Sequence, residues 1–149
     1  MRMLKSFLLI FFVLNLAGCT CWSKKQGVAM DNIPMAAEGG VIPDIHFDFD
    51  RYFIRPDAQR ILAKGAEWLK ANPQAKVKIE GHCDARGTAE YNMVLGQHRA
   101  QAAMDYLRSL GVEASRMSTI SYGKELPLDP AHNEAAYAKN RRAHFVVTE

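Results

Sequence analysis

No apolar run in the 149-residue chain is long enough to cross a bilayer as a stable helix. The longest, Ser6 to Leu16, is broken only by Asn15 after its opening serine and is about eleven residues where a span needs about 20. Metal chemistry has little to work with, because a structural zinc site wants four ligands at closing spacings such as Cys-x-x-Cys and none is present. Neither a Gly-x-Ser-x-Gly elbow nor a His-Glu-x-x-His pair occurs. Basic runs and basic-aromatic patches are also missing, and the formal net charge is only +3, so nucleic-acid binding has no support. There is no internal repeat and no low-complexity tract. At 48% hydrophobic and 23% charged residues, the composition suits one globular domain with a real core.

The first eighteen residues are a different material. A basic start, Met1-Arg2-Met3-Leu4-Lys5, precedes the apolar run, which ends in Leu16-Ala17-Gly18-Cys19. A short apolar core followed by small residues reads as a signal peptide over 1–18 rather than a permanent anchor. Leu-Ala-Gly-Cys is similar to the lipobox of bacterial lipoproteins. That resemblance implies cleavage before Cys19, lipidation of Cys19, and export outward with Thr20 beside it. One acyl chain holds a protein marginally, whereas several on one cysteine hold it firmly. Removing Arg2 and Lys5 leaves 17 basic against 16 acidic side chains, near +1. From 19 to 43 the chain is mixed and aperiodic, a flexible tether. About 24 residues reach roughly 80 Å extended and average nearer 27 Å as a coil. Cys21 lies on that tether with nothing to place it near Cys83, so no structural disulfide is expected even in an oxidising compartment.

Patterns sharpen after Pro43, and a folded domain is expected over 44–149. Ile45, Phe47 and Phe49 alternate with His46, Asp48 and Asp50, the signature of a half-buried strand. Arg55-Pro56-Asp57 opens a helix, with proline near its first turn. Its apolar positions include Ala58, Ile61, Leu62, Gly65 and Leu69, and Asn72-Pro73 stops it. Val77 and Ile79 mark a second strand running into Gly81. A long helix follows over roughly Ala89–Leu110, ended by Gly111. A third strand covers Met117–Tyr122, a short helix capped by Asn133 reaches Asn140, and Ala143, Phe145 and Val147 mark a last strand. The order β-α-β-α-β-α-β predicts a two-layer α/β sandwich with a four-stranded sheet.

The stretch Gly81-His-Cys-Asp-Ala-Arg-Gly-Thr-Ala-Glu-Tyr-Asn92 concentrates residues that hold metals, cut bonds or grip charged ligands. Neighbours on a strand face opposite ways. His82 and Cys83 therefore cannot both meet one ion, or act as base and nucleophile, without a turn between them. Along the long helix, Tyr91, Leu95, Ala102, Tyr106 and Leu110 form a stripe at steps of three, four or seven. Arg99 falls inside it. A guanidinium there must be paired or must line a cavity, since burying it unpaired is too costly. Asp84, in the loop before the helix, is the obvious partner, and Asn92 shares Arg99's side. Two readings stay open: a buried Asp84–Arg99 bridge that merely holds the loop, or a pocket where acid and base face a zwitterionic guest. Phe47 reads as core, His82 as a local hydrogen-bonder that holds the loop, and Gly87 and Thr88 as shaping and capping the helix. The Lys139–Arg142 cluster is either a solvated face or part of a rim.

The run from Phe47 to Val112, with its Gly-His-x-Asp-x-x-Gly-Thr-x-x-Tyr-Asn motif, and the later Tyr-x-Lys-Asn-Arg-Arg motif resemble the OmpA-like peptidoglycan-binding domain. With lipobox and tether, nearly the whole mature chain is similar to the family of peptidoglycan-associated lipoproteins. The resemblance implies an OmpA-like fold with a mixed sheet. It also implies a non-catalytic role anchoring the outer membrane to the meso-diaminopimelate of peptidoglycan stem peptides. In that family the Gly-His-x-Asp aspartate and an arginine fifteen residues later do the gripping; here these are Asp84 and Arg99. The resemblance adds Phe49 and Asp50, partly through backbone groups, then Asn92 and Arg142. It implies Tol-system partners, TolB and TolA, and a role in cell division and envelope integrity, with no cofactor. Ala85 departs from the family's frequent glutamate without touching the Asp–Arg pair. A stem-peptide-trimming enzyme using His82, Cys83 and Asp84, or a protein-only envelope scaffold, are the alternatives.

Overall fold

A computed structural model describes residues 40–148. The expected signal peptide, the lipidation site Cys19 and most of the tether lie outside the described residues. Eight elements follow in chain order: β1 (Ile45–His46), α1 (Pro56–Ala71), β2 (Lys76–His82), α2 (Ala89–Ser109), a 3-10 turn (Ala114–Arg116), β3 (Met117–Gly123), α3 (Glu134–Asn140) and β4 (Arg142–Thr148). Among the described residues, no helix is long and apolar enough to cross a membrane.

The sheet order is β1-β4-β2-β3. β2 and β3 run parallel, and β4 runs antiparallel to both of its neighbours. The last strand thus inserts between the first two, a split β-α-β arrangement. Its alternation is the expected one. Ala143 and Phe145 are buried, in register with Gly81 and Ile79, so both strands put their apolar residues on one face. That face meets α1 and α2 in a core that includes Leu62, Leu69, Val77, Ile79, Leu107 and Phe145. Each such side chain contributes roughly 1.5–3 kcal/mol by leaving water.

α1 forms where the sequence says it should. Pro56 supplies a preset φ at the first position, Asp57 and Lys70 complement the helix dipole, and Asn72 caps the end. Its C-terminus is closed from outside by Arg116, which donates to the carbonyls of Leu69 at 2.9 Å and Asn72 at 2.7 Å. Gly65 is a seat rather than a weakness. A Cβ there would press within 3.1 Å of Ile42, and Ile42 is fully buried. The folded region therefore begins before residue 44, inside the stretch assigned to the tether.

Two expectations shift. β1 was expected to run to Asp50, but regular pairing stops at His46, with one more bond from Phe47 N to Arg141 O at 2.9 Å. Beyond that point β4 has no residues left to pair, because α3 occupies the chain before Arg142. The chain turns instead, with Arg51 N bonding Asp48 O and Asp50 in the left-handed region at φ 54°. On α2 the buried face is Asn92, Leu95, Gly96, Arg99, Ala100, Ala103 and Leu107, whereas Tyr91 is 54% exposed. The expected stripe was off to one side. The closest approach to the sheet is made by the smallest residues, which a search for large apolar side chains passes over.

Candidate functional site

The site grows out of a glycine contact. Gly81 of β2 and Gly96 of α2 meet backbone to backbone, and a Cβ on Gly81 would collide with the Gly96 carbonyl. The next turn of α2 then hangs Arg99 over the end of β2. There the strand is irregular between Gly81 and His82, and Cys83 N bonds Gly123 O at 2.7 Å. The loop that follows is built by its own residues. Gly87 sits at φ 86°, a conformation that suits glycine. Thr88 caps α2 by accepting from Tyr91 N. Asn92, 2% exposed, donates from Nδ2 to the carbonyls of Arg86 at 2.7 Å and Thr88 at 3.0 Å. These are the shaping and capping roles expected of Gly87 and Thr88.

Between this loop, the 48–51 turn and α2 lies an open cavity of about 220 Å³. Five of the six expected binding residues line it: Phe49, Asp50, Asp84, Asn92 and Arg99. Arg99 forms the floor and is 1% exposed. It donates from Nε to Arg51 O at 2.9 Å, from Nη1 to His82 O at 2.9 Å and from Nη2 to Asp48 O at 3.3 Å. Its guanidinium lies over the Phe47 ring, 5.2 Å from the centroid. Burial pulls its pKa below the usual arginine value. Among the described residues, no carboxylate forms an ion pair with it.

Asp84, 4% exposed, is not bridged to Arg99. Oδ1 accepts from Arg86 N at 3.1 Å and Arg86 Nε at 3.2 Å. Oδ2 accepts from Arg86 Nη2 at 2.6 Å and from Arg141 Nη1 at 3.3 Å. Burial by itself raises its pKa, but the donors on Arg86 and Arg141 outweigh that and hold the carboxyl below its ordinary value. Asp50, on the exposed rim, accepts the Tyr91 hydroxyl.

Arg142 is not brought to the cavity. It pairs with Asp44 at 3.3 Å, and its neighbour Arg141 is the one that reaches Asp84. Arg141 also holds Phe47 O at 3.0 Å and Glu134 at 2.9 Å. The Arg-Arg pair straddles the start of β4, where side chains begin to alternate between faces, and the sequence alone did not say which arginine faces the loop. His82 does not make the expected local bond through its ring. Its imidazole is 3% exposed, stacks on Tyr122 at 5.5 Å, and has neither nitrogen hydrogen-bonded among the described residues. Burial, with Arg142 nearby, pushes its pKa down to about 4. Its backbone carbonyl is what holds the site.

Cys83 does line the cavity, but its thiol donates to Asn92 O at 3.3 Å. Burial pushes it up to about 11, so it is protonated at neutral pH. Since the His82 ring is packed on Tyr122, the two do not form a base–nucleophile pair. Among the described residues no group of three or more His, Cys, Asp or Glu could hold a metal.

Sequence reasoning missed Arg86 and Tyr91 as cavity walls. Arg86 lies between two rings, 4.0 Å from the Phe49 centroid and 4.5 Å from that of Tyr137. A signal was available: an aspartate can accept the backbone N–H two residues on in an Asx-type turn, as Asp84 does from Arg86, and an arginine at that position is then within reach of the same carboxylate.

Known proteins resemble this chain in sequence and fold. The OmpA family model matches residues 46–141. A peptidoglycan-associated lipoprotein of Brucella melitensis is 50% identical over 103 residues, covering 69% of this chain and 61% of that protein's length. One from Haemophilus influenzae is 41% identical over 149 residues, covering 95% of this chain and 96% of the relative. The crystal structure of the peptidoglycan-associated lipoprotein from Burkholderia pseudomallei superposes with a TM-score of 0.69 at 44% identity, over 70% of this chain and 89% of that one. With the split four-stranded sheet and the motif residues in place, the chain belongs to the OmpA family, among the peptidoglycan-associated lipoproteins.

Proposed function

We propose that the domain is a non-catalytic anchor that binds peptidoglycan through the diaminopimelate of a stem peptide. Arg99 carries the reading. Among the described residues its guanidinium donates to three backbone carbonyls and pairs with no carboxylate, and an open cavity lies above it. A guest carboxylate is the missing counter-ion, and a guanidinium takes one in bidentate fashion. The side-chain end of meso-diaminopimelate carries both a carboxylate and an ammonium. Asp84 and Asp50 supply the negative side. An ammonium reaches Asp84 by displacing Arg86, the more exposed of its two arginine partners, whereas Asp50 stands at the rim, where it accepts the Tyr91 hydroxyl.

The proposal extends to the outer membrane, held through lipid on Cys19, with the domain facing the periplasm. Resemblance alone supports the Tol proteins TolB and TolA as partners. The names of the relatives support peptidoglycan association. The protonated Cys83 thiol and the packed His82 ring support an anchor over an enzyme that trims the stem.

The test is incubation of purified sacculi with the full chain in detergent. Co-sedimentation with an unchanged muropeptide profile is expected. New cleavage products would favour the enzyme, and failure to sediment would favour a protein-only scaffold.

A further inference from the structure

Three rings beside the cavity have no part in the buried core. Tyr52 and Phe53 stack with centroids 5.3 Å apart and an interplanar angle of 25°. Tyr52 also meets His98 at 5.2 Å and 32°. They are open to solvent, Phe53 at 65% and Tyr52 at 43%. We propose that this shelf is a saccharide subsite, seating a pyranose ring of the glycan strand from which the bound stem peptide hangs. The proposal rests on the stem-peptide reading above.

Position argues for it. The shelf is carried by residues next to the cavity floor: Tyr52 follows Arg51, whose carbonyl holds Arg99, and His98 precedes Arg99. His98 also follows Tyr91, a cavity wall, by seven residues. Two helical turns place it on the same side of α2, about 10 Å further along. In a stem peptide, diaminopimelate is the third residue. Two residues and a lactyl group separate it from the sugar, at least roughly 7 Å when extended. A guest with its diaminopimelate over Arg99 therefore carries its sugar outside the cavity, onto the surface around its rim.

Chemistry agrees. Aromatic faces are electron-rich, and a pyranose face presents a plane of weakly positive C–H groups. The Tyr52 hydroxyl and the His98 ring nitrogens give the shelf polar edges suited to sugar hydroxyl and N-acetyl groups. Three rings expose on the order of a few hundred Å², well short of the roughly 800 Å² per partner of a standard protein interface. A single sugar ring fits that scale better.

The experiment is calorimetric titration of the full chain in detergent with two probes, the free diaminopimelate tripeptide and the disaccharide-tripeptide. The unaltered chain should bind the disaccharide form roughly five- to tenfold more tightly. The double substitution Tyr52→Ser with Phe53→Ser should erase that gain and leave tripeptide affinity unchanged, which also shows that the variant is folded. Equal affinity for both probes in the unaltered chain would overturn the subsite. Equal loss of both probes in the variant would overturn it too. If the unaltered chain bound neither probe, the stem-peptide reading itself would fall, and the subsite with it.

Discussion

The guanidinium of Arg99 donates to the backbone oxygen of His82 across 2.9 Å, while the imidazole of the same His82 packs on Tyr122. One residue thus serves the site with its carbonyl and packs against β3 with its ring. A change on the ring side can reach the floor of the cavity through a single peptide unit.

Arg99→Lys keeps a cation but loses the fork that spans three carbonyls. Sacculus binding should fall about ten- to hundredfold, one strong charge-assisted contact being worth roughly 1.5–3 kcal/mol. Arg99→Ala should also lower stability by about 1–3 kcal/mol through the stranded carbonyls. Binding curves and urea titrations of both variants check this. Full retention of binding in Arg99→Lys would show that geometry at this position is irrelevant.

Arg141 and Arg142 should separate cleanly. Arg141→Gln takes a donor from Asp84 and from the 47 carbonyl, so it should cost about 2–4 kcal/mol and weaken binding. Arg142→Gln touches Asp44 on the other side and should leave binding within twofold. Equal binding losses in the two would contradict the placement.

Acid should weaken the fold through His82. Its folded pKa of about 4 lies below the ordinary 6.5, so the unfolded chain binds more protons between those values. The stability it supports is complete above about pH 6.5, declines as pH falls toward 4, and is level below that. The decline amounts to as much as about 3 kcal/mol. Denaturant unfolding at pH 7 and pH 4.5 should show it in the unaltered chain and only weakly in His82→Gln. Parallel declines in both would assign the effect to other groups. Asp84 works in the same direction but lower: with its folded pKa depressed, its contribution is present above about 3.9 and lost as pH falls through the folded value.

Gly81→Ala should cost more than Gly96→Ala. The first methyl meets the Gly96 backbone, whereas the nearest obstacle to the second is the Ser121 hydroxyl, with Gly81 O at 3.0 Å behind it. Overpacking costs typically about 1–3 kcal/mol, and Gly81→Ala should reach or exceed the top of that range. Thermal melts rank the two, and the reverse order would contradict the contact.

Where a local pattern has a local cause, reading the chain worked. Pro56 and Asn72 bracket α1, Thr88 and Asn133 cap α2 and α3, and Ala143, Phe145 and Val147 alternate on β4 because each signal acts within a few residues. The long motif marked out the loop, and Arg99 stood out as a charge among apolar positions. The same reading placed α2's buried face on its large side chains and missed Gly96 at the point of contact. It stretched β1 to Asp50 because alternation does not reveal where the partner strand ends.

The pairing of charges was beyond local pattern altogether. Asp84 had an evident mate in Arg99, yet Arg86 and Arg141 hold it, one curling back from the same loop and one arriving from 57 residues away. Side-chain period and capping chemistry are written into neighbouring residues, so the elements and the cation in the stripe could be found from the chain alone. Which acid meets which base depends on where β4 slips between β1 and β2. That insertion brings Arg141 to Asp84 and, with Arg86, leaves Arg99 without a paired carboxylate among the described residues, its charge facing an open cavity.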